Sequence, residues 1–378
     1  MALANPRVVY LLRLMSAATQ LVVVFFLSSI SVNTLGSYSF ATAILAIGMQ
    51  ALQFEGTQLA IGGLVRPERL RRIYATTNVV WLAFTIGTVA YFHTRPDILV
   101  FTLLFIFNLT SEWTVNLLSI EERMAKSEQN FLRNLSIKIA VIDVAIPWTL
   151  VVWAYTMELQ GLSHAAALLA GAIILISVKY IGIVRRFSHI AWPNFNFIHG
   201  VVVKRLDGMF IRVFTGLTMG STTLGVVQPL LSVARTLNIL TPTWININFS
   251  GSLQHASSES TQLWKIVKIL ALTYVAYVAF GFLLFFGFSP FEEYNYSIFL
   301  CLAAAIFFGN QNTKAVTRSL NIMQNRLGWN NALSNMGLIA KIPLGYIFLS
   351  HGIIGIFFAT ILADLMQLIL ILLFMRAR

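Results

Sequence analysis

Long apolar runs separated by short polar breaks cover almost the whole chain. Each run is close to the roughly 20 residues that an α-helix needs to cross a bilayer. The pattern therefore predicts an all-α integral membrane protein with about twelve transmembrane helices. The predicted helices span residues 8–30, 36–62, 72–92, 98–120, 135–156, 163–184, 200–219, 223–250, 266–288, 296–313, 330–349 and 352–375. The seventh run is the least regular, because charged residues at 204, 205, 207 and 212 interrupt it.

The composition excludes a soluble protein. Hydrophobic residues make up 57% of the 378 residues and charged residues 11%, and the mean hydropathy is +0.77. Soluble domains average about 45–50% apolar and about 25% charged residues. Arg7 and Arg13 accompany the first apolar run, as in a signal peptide, but the run is long enough to remain as the first helix. The single cysteine, Cys301, excludes a disulfide framework and a multi-cysteine metal site.

The net charge of +12 is explained by the orientation of the chain in the membrane. With both termini in the cytoplasm, 22 of the 26 Lys and Arg residues fall on the cytoplasmic side and only Arg95 falls outside, as the positive-inside rule requires. This layer includes Lys138, after the fourth predicted helix, and Lys314, after the tenth. The excess of basic residues therefore needs no nucleic-acid partner.

The two halves of the chain resemble each other. Segment 33–38 (NTLGSY) reappears 189 residues later as 222–227 (TTLGVV), and each half has six predicted helices with a proline in the fifth, Pro147 and Pro343. Six is an even number, so both halves enter the membrane in the same direction. We expect an N-terminal six-helix bundle at 1–187, a cytoplasmic linker at 188–199 and a C-terminal six-helix bundle at 200–378. A pseudo-two-fold axis along the membrane normal would relate the bundles, with a cavity between them.

Polar residues form stripes on two related helices. On the eighth helix the residues within about 80° of one another are Gln228, Arg235, Asn238, Pro242 and Asn246. A shift of 189 residues places a thinner stripe on the second helix, with Ser39, Gln53 and Thr57. Such stripes either hold helices together by hydrogen bonds or line a shared water-filled cavity.

Eight ionisable residues fall at membrane depth in this prediction, where each costs about 2.5–3.5 kcal/mol at a helix centre. They are Glu55, Glu112, Asp143, Asp207, Arg212, Arg235, Lys341 and Asp364. Lys341 and Asp364 differ in depth by about 5 Å at 1.5 Å per residue, so a structural ion pair is one interpretation. Glu112 and Asp143 lie at similar depths and either share a coupled proton or cap polar packing.

In a second interpretation, the three buried cations of this set bind an anionic ligand. The guanidinium groups of Arg212 and Arg235 suit phosphate oxygens. Lys341 shares a face with Ser334, Gly337 and Gly345, small residues that would leave space beside its ammonium group. The three cations together would then receive an anionic headgroup.

No enzyme motif is present in the sequence. A P-loop, HExxH and GxSxG are all missing. We therefore expect no catalytic residue, no metal site and no cofactor.

Three short motifs carry a family resemblance. Segment 35–40 (LGSYSF), the basic break before the third helix, and segment 204–207 (KRLD) followed by Leu224 and Gly225 resemble the polysaccharide transporters. These are the O-antigen and exopolysaccharide flippases of the multidrug/oligosaccharidyl-lipid/polysaccharide exporter superfamily. The seventh-helix aspartate of the family corresponds to Asp207. The chain departs from the family pattern at Gly208, where a basic residue is frequent, and at Val227, where a tyrosine is expected.

The resemblance implies a function. Two bundles would alternate in access and move a polyprenyl-pyrophosphate-linked oligosaccharide to the outer leaflet of the bacterial inner membrane. In this interpretation the substrate contacts Arg235, Lys341, Arg212, Gln228, Asn238 and Gln53. Asp207, Glu112 or Asp143 would couple a proton or sodium gradient, unless glycan polymerase or export partners draw the product away.

Two alternatives stay open. One is a cation-coupled multidrug antiporter of the same superfamily, although residues 8–30 lack the acidic residue that many such antiporters carry there. The other is a membrane polysaccharide polymerase or acyltransferase, although the sequence has no long external loop.

Overall fold

The computed structural model describes residues 6–53, 66–95, 98–111, 128–156, 195–232, 297–323 and 327–376, with several further residues between 268 and 283. Nearly all of these residues are helical, and none of them lies in a β-strand.

Six helices lie in the first half of the described chain. They are α1 (Pro6–Ile30), α2 (Val32–Gln53), α3 (Pro67–Phe92), α4 (Ile98–Ser111), α5 (Glu128–Lys138) and α6 (Ile146–Thr156). A π-helical segment, Ile139–Ala145, joins α5 to α6. Ser31 separates α1 from α2, and its hydroxyl oxygen accepts the backbone N–H of Thr34, at 3.0 Å, as a helix N-cap does.

Five helices are labelled in the second half. They are α7 (Phe195–Thr218), α8 (220–232), α9 (Ile298–Met323), α10 (Leu327–Ile347) and α11 (Gly352–Arg376). The described residues between 268 and 283 are also helical. Gly220, with φ +84°, begins α8, and Gly352, with φ +64°, begins α11. Both positions need glycine, because a side chain strains the left-handed conformation.

Four helical segments are long and apolar enough to cross a bilayer: Arg7–Ile30, Val32–Leu52, Leu132–Val152 and Leu349–Leu370. The helices place apolar side chains outward and polar side chains inward. On α11, Thr360, Asp364 and Gln367 share a buried face, whereas Phe358 and Ile369 are more than half exposed. This inside-out pattern is expected of helices whose outer surface contacts lipid.

The chain divides into two compact units, residues 1–205 and 206–378. In unit 1, α1 packs against α2, α5, α6 and the π-helical segment. In unit 2, α11 packs against both α9 and α10. The predicted domain limits at 187 and 200 stay a prediction.

Every predicted helix that falls on described residues is helical there, and the sixth, 163–184, lies outside the described residues. Four helix limits differ from the prediction by five residues or more. Helix α3 begins at Pro67 and α5 at Glu128, ahead of the predicted starts at 72 and 135. Helix α7 begins at Phe195, inside the predicted linker. Helix α9 continues to Met323, whereas the prediction ends it at 313, and this difference changes the environment of Lys314.

Candidate functional site

A cluster of two lysines and two aspartates lies in the interior of unit 2. Each member comes from a different helix: Asp207 from α7, Lys314 from α9, Lys341 from α10 and Asp364 from α11. The exposed fraction of each side chain is between 0% and 2%. We call these four residues the charge cluster.

The charge cluster is a closed ring of ion pairs. Lys314 Nζ lies 2.6 Å from Asp207 Oδ2 and 2.7 Å from Asp364 Oδ1. Lys341 Nζ lies 2.6 Å from Asp207 Oδ1 and 2.8 Å from Asp364 Oδ1. With all four groups ionised the ring has no net charge, which is how charges tolerate burial.

Two further hydrogen bonds complete the ring. The Gln311 amide donates to Asp364 Oδ2 at 2.9 Å. Lys341 Nζ also donates to the backbone carbonyl oxygen of Asp207 at 3.1 Å. All four carboxylate oxygens therefore accept at least one N–H, and the three N–H groups of Lys341 have three acceptor oxygens.

Small residues on α10 let its neighbours approach Lys341. Gly337 and Gly345 lie four residues before and after it. A Cβ added at Gly337 would lie 2.9 Å from the Gln367 amide of α11, and one added at Gly345 would lie 3.0 Å from the Phe214 ring of α7. The predicted space beside the ammonium is thus wrong, because the neighbouring helices fill it.

Lys341 and Asp364 form the structural ion pair that their depths predict. The predicted role of Lys341 in binding an anionic substrate loses its physical basis, because its N–H groups are directed at Asp207 and Asp364. Asp207, predicted as an ion-coupling residue, contacts both lysines of the cluster.

The sequence interpretation missed Lys314 as a site residue. It assigned this lysine to the cytoplasmic layer, but the structure buries it between two aspartates. One signal was present in the sequence. Segment 310–314 (NQNTK) contains only polar residues and directly follows an apolar run. A helix continues through such a segment when neighbouring helices provide polar partners for its side chains.

A second buried ion pair lies in unit 1. Lys138 Nζ is 2.8 Å from Asp143 Oδ2 and donates to Asn108 Oδ1 of α4 at 3.0 Å. Residues five apart do not face each other on an α-helix, where partners are three or four apart. The π-helical segment that begins at Ile139 brings this spacing onto one face. Lys138, which the sequence analysis counts in the cytoplasmic layer, is therefore buried in an ion pair.

Several buried polar atoms of unit 2 have no hydrogen-bond partner among the described residues. They are Asn310 Oδ1, both side-chain polar atoms of Asn312, Thr215 Oγ1 and Gln367 Oε1. The Asn310 amide nitrogen reaches the carbonyl oxygen of Ile361 at 3.5 Å, and the Gln367 amide donates to the carbonyl oxygen of Leu333. Asn310 and Gln367 thus lie on opposite sides of Asp364 along α11.

Other predicted site residues are placed as follows. Arg212 is buried, and its guanidinium contacts Met209 Sδ at 3.6 Å. The Gln228 amide donates to Ser232 Oγ at 2.9 Å within α8. Gln53 ends α2, and its side chain lies outside the described part. The positions of Glu55, Glu112, Arg235 and Asn238 lie outside the described residues, so the predicted pairing of Glu112 with Asp143 stays a prediction.

Within the described part of the chain, no group of three or more His, Cys, Asp or Glu side chains is placed to hold a metal ion.

Comparisons with solved structures identify the fold. A MOP superfamily transporter from Pyrococcus furiosus, described as having a binding pocket of reverse polarity, matches with a TM-score of 0.52 and 13% identity. The match covers 100% of this chain and 96% of that chain. An outward-facing multidrug resistance MATE family transporter of the MOP superfamily matches with a TM-score of 0.53 and 14% identity, over 100% and 94% of the two chains.

No protein-family model matches the sequence, and the comparison with curated proteins finds no match. The structural likeness confirms the predicted fold class, an all-α multi-pass membrane fold as in the MOP superfamily. The narrower resemblance to polysaccharide flippases stays a prediction.

Proposed function

We propose that this chain is a cation-coupled membrane transporter that moves an organic solute across the bilayer, with the charge cluster as its coupling site. The observation that carries this proposal is the ring of Asp207, Lys314, Lys341 and Asp364 inside unit 2. The fold supports it, because two structures that share the fold are MOP superfamily transporters. Of the two transporter interpretations of the sequence, this one corresponds to the antiporter.

The ring suits coupling because its stability depends on its charge. Ionisable residues inside a membrane protein are costly, and they mark ion pathways and relays by default. A cation that binds one carboxylate changes the net charge of the ring from zero to +1. This change weakens contacts that tie α7, α9, α10 and α11 together. Binding at one site can thus bias the packing of four helices, which a coupled transporter needs.

The same geometry disfavours the lipid-linked oligosaccharide as the substrate. That interpretation needs free basic groups to hold a pyrophosphate, and Lys341 is already engaged by two aspartates. The flippase prediction then keeps its sequence motifs and the other two predicted cations, Arg212, which is buried, and Arg235, which lies outside the described residues. The described residues also give no support to a polymerase or acyltransferase, since the fold is one seen in transporters.

The test is transport by the purified full-length chain in proteoliposomes. A proton or sodium gradient is imposed, and movement of the cationic dye ethidium is measured. We expect gradient-driven movement in the wild type and its loss in Asp207→Asn. The matched control is Glu68→Gln, which removes an exposed carboxylate on α3 and should transport normally.

Parallel liposomes that contain a labelled polyprenyl-pyrophosphate oligosaccharide separate the alternatives. Movement of this lipid without any dye transport would overturn the proposal in favour of the flippase. Normal dye transport in both Asp207→Asn and Asp364→Asn would overturn the role of the charge cluster. Size-exclusion profiles of each variant establish that it is folded before its transport is interpreted.

A further inference from the structure

From the geometry of the charge cluster we infer that the coupled ion is a proton, and that Lys314 and Lys341 are resident cations that exclude sodium. This inference rests on the proposed role of the cluster in coupling. It goes further by identifying the ion and by assigning a function to two lysines.

The carboxylate oxygens of the cluster are already occupied. Asp207 Oδ1 and Oδ2 each accept a lysine N–H at 2.6 Å. Asp364 Oδ1 accepts from both lysines at 2.7 and 2.8 Å, and its Oδ2 accepts from Gln311 at 2.9 Å. Hard metal cations need several oxygen ligands at short distance. A sodium ion would have to displace at least one ammonium group to obtain them.

The charge balance also opposes sodium. The ring is neutral with two ammonium groups and two carboxylates, so it has no negative charge left for a metal cation. An ammonium group is a compact point charge, and displacing it without solvent would leave two cations close together in a buried site. Sodium binding would therefore lose the attraction that two aspartates alone would provide.

A proton adds the same single positive charge as a sodium ion, but it displaces no ammonium group from the carboxylates. It takes the place of no atom, and it converts a carboxylate into a group that both donates and accepts hydrogen bonds. Transfer of a proton from hydronium to Asp364 Oδ2 forms one O–H bond, breaks one O–H bond of the hydronium and leaves a water molecule. Gln311 can then accept that hydrogen through its own carbonyl oxygen after rotation of its amide, because a glutamine offers both a donor and an acceptor. The ring gains a charge of +1 and keeps both lysines.

Polar atoms on both sides of the cluster provide a route for the proton. Asn310 Oδ1, at the level of Ile361, and Gln367 Oε1, three residues after Asp364, are buried without a hydrogen-bond partner. Buried polar atoms of this kind are normally satisfied by water. Each lies about one helical turn, or about 5 Å, from the aspartate along α11. Water bound at these positions would extend the polar path from Asp364 by about one helical turn in each direction along α11.

Charged and polar groups from each of the four helices face Asp364. Asp207 faces it from α7 through the two lysines, Gln311 and Lys314 face it from α9, and Lys341 faces it from α10. On its own helix, Gln367 lies on the same face.

The first experiment measures equilibrium binding of ²²Na⁺ to the purified full chain in detergent. We expect no saturable binding to the wild type. Lys341→Met and Lys314→Met each leave two carboxylates with one lysine, so each should create saturable, proton-competed sodium binding. Lys268→Met removes an exposed lysine of the same half and should behave as the wild type does. Saturable binding to the wild type, or folded lysine variants that bind no sodium, would overturn the inference.

The second experiment needs no lysine variant. Infrared difference spectra of the wild type between neutral and acidic pH should show the C=O stretch of a buried carboxylic acid. This band should be lost in Asp364→Asn and kept in Glu68→Gln. A spectrum without a buried carboxylic acid at any pH at which the protein is folded would contradict proton binding at the cluster.

Transport distinguishes failure of this inference from failure of the proposed function. A pH gradient in sodium-free medium should drive ethidium movement, and a sodium gradient at clamped pH should not. Movement driven only by sodium would overturn the inference and leave the proposed transporter intact. Movement under neither gradient counts against the transporter, while the sodium-binding and infrared results still decide the nature of the site.

Discussion

Asp364 receives N–H donors from three side chains, Lys314, Lys341 and Gln311, on its two carboxylate oxygens. Because the ring is closed, each lysine also depends on Asp364 to balance its charge. Removing one partner of a buried ion pair costs about 3–5 kcal/mol, since it leaves a charge without compensation. The aspartate therefore stabilises the packing of unit 2 even if it also binds a proton.

We expect Asp364→Asn to lower the free energy of unfolding by about 3–5 kcal/mol, measured by chemical unfolding in detergent. Lys341→Met/Asp364→Asn removes one cation and one anion together, so it should cost less than the sum of the two single variants. Glu68→Gln, on the exposed side of α3, is the control and should change stability little. An unchanged midpoint in Asp364→Asn would mean that the ring does not stabilise the fold.

For single residues, the sequence predicts an ion pair when the depths of its two partners in the membrane follow from their distance to one turn. It fails to predict an ion pair that depends on which side chains the tertiary structure buries together. Lys341 and Asp364 lie on consecutive helices at nearly equal distances from one turn, so their contact follows from the rise per residue. Lys314 cannot be recognised in this way. Hydropathy places a lysine that follows four polar residues at a membrane interface, whereas partners on α7 and α11 hold it in the interior.

At the scale of elements, α10 packs closely because glycine is present where it contacts α7. A Cβ at Gly345 would lie 3.0 Å from Phe214 Cζ and 3.2 Å from Phe210 Cζ. These two rings stack with centroids 4.9 Å apart, so neither can move without disturbing the other. Gly345 is also one turn from Lys341, so its packing positions the charge cluster.

Gly345→Leu should therefore destabilise the protein by about 1–3 kcal/mol, the usual cost of inserting atoms into a packed interior. Thermal unfolding in detergent measures this effect. Gly87→Leu is the matched control, since a Cβ at Gly87 on α3 has nothing within 4 Å. Equal destabilisation by Gly345→Leu and Gly87→Leu would show that contact with the phenylalanine rings is not the cause of the lost stability.

The π-helical segment supports a second element-scale prediction. Lys138 and Asp143 pair across five residues, and both side chains are at least nine-tenths buried. A double-mutant cycle with Lys138→Met and Asp143→Leu should give a coupling energy between about 0.5 and 3 kcal/mol. Arg133→Met, an exposed site on α5, should show no coupling with Asp143→Leu. A coupling energy of zero would contradict a buried pair.

Helix positions follow well from the sequence, and helix ends follow less well. Apolar runs locate α1, α10 and α11 to within a few residues, because burial in lipid needs length and apolarity. The predicted end of α9, at 313, lies ten residues before the observed end at Met323, because segment 310–314 (NQNTK) has the composition of a loop. A polar interior stabilises polar residues inside a helix, and hydropathy does not distinguish that interior from water.

At the scale of the whole molecule, the charge cluster belongs to the second half alone. A shift of 189 residues relates the halves, and it takes the four cluster positions to Ala18, Ala125, Val152 and Leu175. The repeat therefore predicts the layout of helices and does not predict the site. The first half has a different ion pair, Lys138 with Asp143, at an unrelated position. The charge cluster, and with it the proposed coupling site, is therefore not repeated at the related positions of the first half.

The orientation of the whole chain gives the last prediction. Two of the 22 basic residues assigned to the cytoplasmic layer, Lys138 and Lys314, are buried in ion pairs. The others still outnumber the single basic residue predicted outside, Arg95, so both termini should face the cytoplasm.

Cys301 is the only cysteine and is buried, so Cys301→Ala gives a cysteine-free background at little cost. In intact cells, a membrane-impermeant maleimide should then leave Ala2→Cys and Arg378→Cys unlabelled until the membrane is permeabilised. Labelling of either terminus before permeabilisation would require an odd number of crossings or the opposite orientation.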